Sequence, residues 1–176
     1  MISLLVAYTK NKRVIGAQGK IPWNLSSERN RFKQICRDKY VIMGRKSYEE
    51  IGHPLSYCTL VVVSSGPSLR QAQDKLGSGT TCYFNSLDAA INYCKAQGQE
   101  EILIAGGGSI YEQALPYANK IYATEIDADF EGDVFFPELG DEWTGTVDET
   151  HEENGIVYRY MTYRHCEHEV RGNPEL

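Results

Sequence analysis

The chain has 176 residues, 41% apolar and 24% charged, with 18 Lys and Arg against 24 Asp and Glu for a net charge of −6. That is enough for one compact domain with a real core, and it excludes disorder, collagen and coiled coil. No run approaches the ~20 apolar residues of a membrane-crossing helix, Met1 leads into Ile-Ser-Leu-Leu-Val-Ala without the basic leader of a secretory signal, and the acidity argues against nucleic acid as a partner. In chain order, Ile2–Tyr8 is an apolar run of strand length. Lys10–Pro22, with Gly16 and Gly19, reads as a flexible loop. Ser26 or Ser27 can cap a helix from about Glu28 to Arg37, with Phe32 and Ile35 or Cys36 on its apolar stripe. Tyr40–Met43 is a buried-type strand ended by Gly44, and a short helix covers Lys46–Ile51. Thr59–Val63 and Thr80–Phe84 are β-branched or aromatic strands. Between them Pro67–Gly79 is a polar loop. Leu87–Ala96 is an amphipathic helix, Glu101–Ala105 a strand running into Gly106-Gly107-Gly108, and Ile110–Leu115 a brief helix stopped by Pro116. Lys120–Ile126, Trp143–Thr150 and Ile156–Tyr163 are strands.

Eight strands and four helices in this order predict a single-domain α/β fold. Right-handed βαβ units give a mostly parallel eight-stranded sheet. The last two strands, with no helix between them, form an antiparallel edge hairpin.

The charge is unevenly spread. Residues 1–46 carry eleven Lys and Arg against two acids, Glu28 and Asp38, for +9, whereas residues 125–176 carry fifteen acids and three Arg, for −12. The basic half reads either as a face for an anionic ligand or as solvated surface that offsets the acidic half. The five cysteines (36, 58, 82, 94 and 166) include no CxxC pair and suit reduced thiols in the cytoplasm. No metal site is expected, and no hydrolase triad is visible.

Three glycine- or serine-rich turns follow strands: Gly44-Arg45-Lys46-Ser47, Ser64-Ser65 and Gly106-Gly107-Gly108-Ser109. Each alone is ordinary punctuation. Together, at the carboxyl ends of strands in one parallel sheet, they suggest a phosphate-bearing dinucleotide, although the GxGxxG fingerprint is absent. Glu28 is the only acid in the first 37 residues. It reads either as a first-turn acid complementing the helix dipole or as a pocket carboxylate for a cationic heterocycle and proton transfer.

Ile21-Pro22-Trp23-Asn24-Leu25, the acid three residues on, Phe32-Lys33, Val41-Ile42-Met43-Gly44-Arg45-Lys46-Ser47-Tyr48-Glu49-Glu50-Ile51-Gly52, Pro54-Leu55, Val63-Ser64-Ser65, the run 105–111 and the run 131–137 resemble the dihydrofolate reductase family in order and spacing. The resemblance extends from Met1 to about Arg164. It implies a reductase domain over 1–164 followed by a polar tail, 165–176. It further implies NADPH-dependent reduction of 7,8-dihydrofolate, with hydride delivered to pterin C6 and a proton to N5. A cytoplasmic monomer that antifolates such as trimethoprim would target is the implied setting.

By the same resemblance, Glu28, Trp23 and Thr124 form the catalytic set, with the Thr124 hydroxyl bracing the Glu28 carboxylate. Leu5, Val6, Ala7, Arg29, Phe32, Ile51, Leu55, Ala105 and Tyr111 join Glu28 and Thr124 around the substrate. Ala7, Ile15, Gly16, Gly19, Ile21, Gly44, Arg45, Lys46, Ser47, Ser64, Ser65, Ala105, Gly106, Gly107, Gly108, Ser109, Ile110 and Tyr111 are the implied cofactor residues. Gly106-Gly107 matches a pair usually joined by a cis peptide, and Asn11–Trp23 matches a loop that closes over the nicotinamide.

One position departs from the pattern. The family's arginine for the folate glutamate falls on Cys58, and a thiol cannot replace a bidentate guanidinium. Arg29, Arg31 or Lys33 could supply that charge from the helix side. The alternatives are a reductase of a dihydropterin or aminopyrimidine without a standard glutamate tail, and a non-catalytic nucleotide-binding protein.

Overall fold

The computed structural model describes residues 1–65 and 80–166. In chain order the elements are β1 (Ile2–Thr9), β2 (Val14–Gly16), α1 (Ser26–Cys36), β3 (Tyr40–Gly44), α2 (Arg45–Ile51), β4 (Thr59–Val63), β5 (Thr80–Phe84), α3 (Leu87–Ala96), β6 (Ile102–Ile104), α4 (Gly108–Ala114), a 3-10 turn (Leu115–Tyr117), β7 (Lys120–Asp127), β8 (Val134–Phe135), β9 (Trp143–Glu153) and β10 (Ile156–His165). The polar stretch Pro67–Gly79 and the tail beyond Cys166 lie outside the described residues.

Eight strands make one sheet in the order β5-β4-β3-β6-β1-β7-β10-β9. The first six are parallel. β10 runs antiparallel to both β7 and β9. Central parallel strands are covered on both faces, which is why Val41-Ile42-Met43 and Leu60-Val61-Val62 are continuous apolar runs, each at most 1% exposed. Strand alternation sends Leu4, Ile42, Val61 and Ile104 to one face, against Ala90, Ile91 and Cys94 of α3 and Ile110 and Tyr111 of α4. Leu5, Val41, Met43, Leu60 and Leu103 go to the other, under Phe32 and Cys36 of α1. The edge strand β9 is mostly polar, and it is exposed apart from Trp143 and the partly covered His151 and Glu153. Its acids discourage pairing with another chain.

Two local expectations are corrected. Residues 10–22 are more than a loop, because β2 within them pairs with β8 as a small second sheet. A three-residue strand opposite a two-residue partner has too little periodicity to be legible in the sequence. Helix α1 begins at Ser26, and neither Ser26 nor Ser27 caps it. Leu25 occupies the N-cap position and supplies no side-chain bond. The acceptors for this turn come instead from Glu153, at the end of β9.

The chain leaves β1, forms α1 and returns as β3, leaving room between them that β6 later fills. The carboxyl ends of β1, β3, β4, β5 and β6 therefore gather at one end of the sheet. A crevice of this kind is where open α/β sheets take ligands.

Candidate active site

Two adjoining cavities occupy that end. The first, about 400 Å³, has a floor of Leu5, Val6 and Ala7 from β1 and Met43 from β3. Phe32, Ile51, Leu55 and Tyr57 wall it on one side. Ala105, Gly106, Gly107 and Tyr111 close the other, with Ile15, Ile21 and Trp23 at the loop. Its polar groups are few, chiefly Glu28, Arg29, Ser47 and Glu50. Mostly apolar walls with a few convergent polar groups suit a flat heteroaromatic ligand.

Glu28 sits in the first turn of α1. Burial pushes its carboxyl above the usual carboxylate range, while Arg31 and Arg29 oppose that rise. Thr124 does not brace it. The Thr124 hydroxyl, 1% exposed on β7, instead accepts from Arg31 Nη1 at 3.2 Å. Arg31 also donates to the carbonyl of Ala123 at 3.2 Å and stacks 4.2 Å from the Tyr160 ring centroid. The Thr124 hydroxyl is thus engaged by Arg31 rather than by Glu28. Among the described residues the Glu28 carboxylate has no hydrogen-bond partner, so its acceptors face the cavity.

The other members of the predicted set surround it. Trp23 is 8% exposed and packs edge-on against Phe130. Its buried indole N–H has no partner among the described residues. The Tyr111 hydroxyl donates to the Leu5 carbonyl at 2.6 Å, tying α4 to β1 beneath the floor. Gly106 and Gly107 are joined by a cis peptide, and the Gly106 carbonyl accepts from Gly44 N at 2.7 Å. Gly106 has φ +105°, and a Cβ there would lie 3.0 Å from the Tyr111 ring. Only glycine suits that backbone and that contact.

The second cavity, about 750 Å³, is polar. Gly44, Arg45, Lys46 and Ser47 open α2 on one side, Ser64 and Ser65 follow β4, and Gly107, Gly108, Ser109 and Ile110 open α4. Gly16 and Gly19 of the loop complete it. Ile15, Ser47, Glu50 and Gly107 line both cavities, so a ligand in one abuts a ligand in the other. Arg45 is half-exposed and pairs with Glu49 at 3.3 Å.

The loop over the junction is tied at both ends. Gln18 N donates to the Asp133 carboxylate at 3.2 Å, Asp133 N to Gly16 O at 3.0 Å, and Ile21 N to Glu50 Oε1 at 2.8 Å.

Sequence reasoning missed Met43, Tyr57 and Glu50 in the first cavity and Lys20, Val63, Asn85, Ser86, Gln113, Asp133 and Val134 in the second. Asn85-Ser86 follows β5 just as Ser64-Ser65 follows β4, and that repetition was a usable signal. Glu50 was not legible, being one of two adjacent acids on a short helix. At the departure, Cys58 is 7% exposed, packs with Cys36, Val41 and Leu60, and lines neither cavity. Burial pushes its thiol up to about 12, so it stays neutral. Of the three candidate replacements, Arg31 is engaged by Ala123, Thr124 and the Tyr160 ring, and Lys33 lies 5.6 Å from the Tyr57 ring centroid. Arg29 lines the cavity, its guanidinium donating to the Asn24 side chain.

The dihydrofolate reductase family profile matches residues 1–165. The chain is 39% identical over 163 residues to the dihydrofolate reductase of Haemophilus influenzae, covering 90% of this chain and 95% of that one. It is 36% identical over 170 residues to the dihydrofolate reductase of Bacillus subtilis, covering 93% and 94%. It is also 35% identical over 159 residues to dihydrofolate reductase type A13 of Escherichia coli, covering 90% and 92%.

Proposed function

The chain belongs to the dihydrofolate reductase family, and from that premise we propose that the first cavity takes the pterin of dihydrofolate and the second takes NADPH. The protein reduces 7,8-dihydrofolate to 5,6,7,8-tetrahydrofolate. The observation that carries the site assignment is the pairing of unlike cavities. One is apolar with a single desolvated carboxylate, and the other is lined by Arg45, Lys46 and the hydroxyls of Ser47, Ser64 and Ser65. That donor set fits a phosphorylated dinucleotide, because cations and hydroxyls match phosphate oxygens.

When bound there, the reduced nicotinamide supplies the hydride for pterin C6. The chain supplies everything else. Phe32, Leu55 and Ile51 hold the pterin flat against β1 and exclude water. Glu28 accepts from pterin N3 and the 2-amino group, which stabilises positive charge on the ring and raises the proton affinity of N5. Trp23 closes the same cavity beside the loop, and water carries the proton. Burial raises the Glu28 pKa, and pairing with the pterin favours the carboxylate in the complex. Hydride transfer declines as pH climbs through the pKa of the N5 proton that this carboxylate supports. The loop from Asn11 to Trp23 shields the junction of the cavities. Arg45 and Ser65 face the 2′-phosphate in this reading, which favours NADPH over NADH.

Arg29 takes the charge role left vacant at Cys58 and meets a glutamate carboxylate of the substrate. Residues 1–164 are the catalytic unit of a cytoplasmic monomer. The five cysteines, none in a disulfide, suit that reducing compartment.

The test is oxidation of NADPH and of NADH with dihydrofolate beside a tail-less dihydropterin. The reading expects NADPH with dihydrofolate to be the best pair. Equal or better turnover of the tail-less compound would favour the second reading, which the inward-turned Cys58 motivates: a reductase whose substrate lacks the glutamate tail.

A further inference from the structure

The helix that carries Glu28 begins without a cap of its own. Leu25, at the N-cap position, is 1% exposed and bonds no first-turn amide through its side chain. The acceptors arrive from the far end of the chain. Glu153 Oε1 accepts from Ser26 N at 2.7 Å and from the Ser26 hydroxyl at 2.6 Å. Glu153 Oε2 accepts from Ser27 N at 3.1 Å and from the Ser27 hydroxyl. The Ser27 hydroxyl also meets the hydroxyl of Tyr158, which is 1% exposed on β10. Next to Glu153, Asn154 Nδ2 donates to the Asn24 carbonyl at 3.4 Å, and the Asn24 side chain in turn accepts from Arg29.

A carboxylate that accepts four hydrogen bonds is held ionised, and those donors pull Glu153 down to about 2. Its charge also complements the positive end of the helix. The rest of α1 is fastened elsewhere, by Phe32, Ile35 and Cys36 in the core. Losing the distant cap would therefore loosen the first turn and leave the helix body docked. Glu28 is the third residue of α1 and lies in that first turn.

We propose that Glu153 is a positioning residue: by clamping the amides and hydroxyls of Ser26 and Ser27, it sets the place and the burial of Glu28. This rests on the reading of Glu28 as the pocket acid. The groups that face Glu28 electrostatically are Arg29 and Arg31 on its own helix, Cys36 at the end of that helix, Tyr111 from α4 and Tyr160 from β10. None of them is replaced in the test.

The test compares Glu153→Ala, Glu153→Gln and Glu28→Gln with the wild type. Single-turnover hydride transfer is measured against pH, alongside KM for NADPH, Tm, and amide exchange at residues 26–28. Glutamine keeps one oxygen for Ser26 but leaves Ser27 N without its acceptor, so it is the milder change and tests the idea even if the alanine variant folds poorly. A helix cap is worth enough to expect about a tenfold fall at neutral pH for Glu153→Ala and roughly threefold for Glu153→Gln. The pH midpoint should move lower, because a displaced carboxylate supports the N5 proton less. NADPH KM should stay within about twofold, as an effect confined to one cavity requires. Faster exchange at residues 26–28 with wild-type rate and midpoint makes Glu153 only a structural cap and overturns the proposal. A Glu28→Gln enzyme that turns over like the wild type overturns the reading of Glu28 itself. If Glu28→Gln is slow while both Glu153 variants match the wild type, only the positioning role falls.

Discussion

The two cavities share four lining residues and little else. The first withdraws one carboxylate from water among aromatic and aliphatic walls, and burial raises its pKa. The second leaves its cations in water, with Arg45 half-exposed and already paired with Glu49. A desolvated charge interacts strongly and specifically, whereas an exposed one acts through several weak contacts. The first cavity should therefore respond steeply to a single substitution, and the second gradually.

The largest expected effect is on Glu28→Gln. Removing a positioned acid–base group should lower hydride transfer near neutral pH by roughly 10²–10⁴-fold, with NADPH affinity unchanged. Stopped-flow single turnovers and NADPH fluorescence titration check both halves. Unchanged hydride transfer would remove the contrast between the cavities.

Arg45→Ala comes next. Loss of a charge-assisted phosphate contact of about 1.5–3 kcal/mol should raise KM for NADPH by roughly ten- to a hundredfold. Release of Glu49 and the remaining cations pull toward the lower end. KM for NADH should hardly move, since it has no 2′-phosphate, and steady-state kinetics with both cofactors measures the split.

Arg29→Ala should raise KM for dihydrofolate by about tenfold or less, the value of one partly solvated charged contact. KM for a tail-less dihydropterin should not change. Equal effects on both substrates would place the residue in general cavity structure.

The smallest effect is thermal. Glu28 has a folded-state pKa above its unfolded value, so its stabilising contribution is complete below the unfolded pKa and is lost as pH rises through the folded one. Glu28→Gln removes that loss. Its Tm should match the wild type below the unfolded carboxyl pKa and exceed it by a few degrees, at roughly 4–8 °C per kcal/mol for a small domain or 2–4 °C for a larger one, once pH has risen through the folded one. Scanning calorimetry across pH reads this directly. A Tm difference independent of pH would mean that Glu28 is not desolvated.

The long elements were legible because their patterns are strong. Val41–Met43 and Leu60–Val63 are apolar runs of strand length, and the absence of a helix between β9 and β10 predicts their hairpin. Most of the two cavities was legible too, since glycines and small hydroxyl residues recur where strands end. What escaped is what depends on contacts between distant parts of the chain. The β2–β8 pair is too short to show a period. Glu50 meets Ile21 only because α2 packs beside the loop. Thr124 was expected against Glu28, yet Arg31 takes its hydroxyl while that guanidinium rests on the Tyr160 ring of β10.

Residues 26 and 27 mark the boundary most clearly. By itself the sequence determined that two serines stand before a helix, that one acid follows them in a basic region, and that phosphate-type turns end three strands. Those are local properties of composition and spacing. That the serines are held by Glu153 rather than acting as caps, that Cys58 turns inward, and that Arg29 rather than Arg31 reaches the cavity were decided only by tertiary structure. A hydrogen bond between residues 127 positions apart exists only once the sheet has brought its edge hairpin back against the first helix.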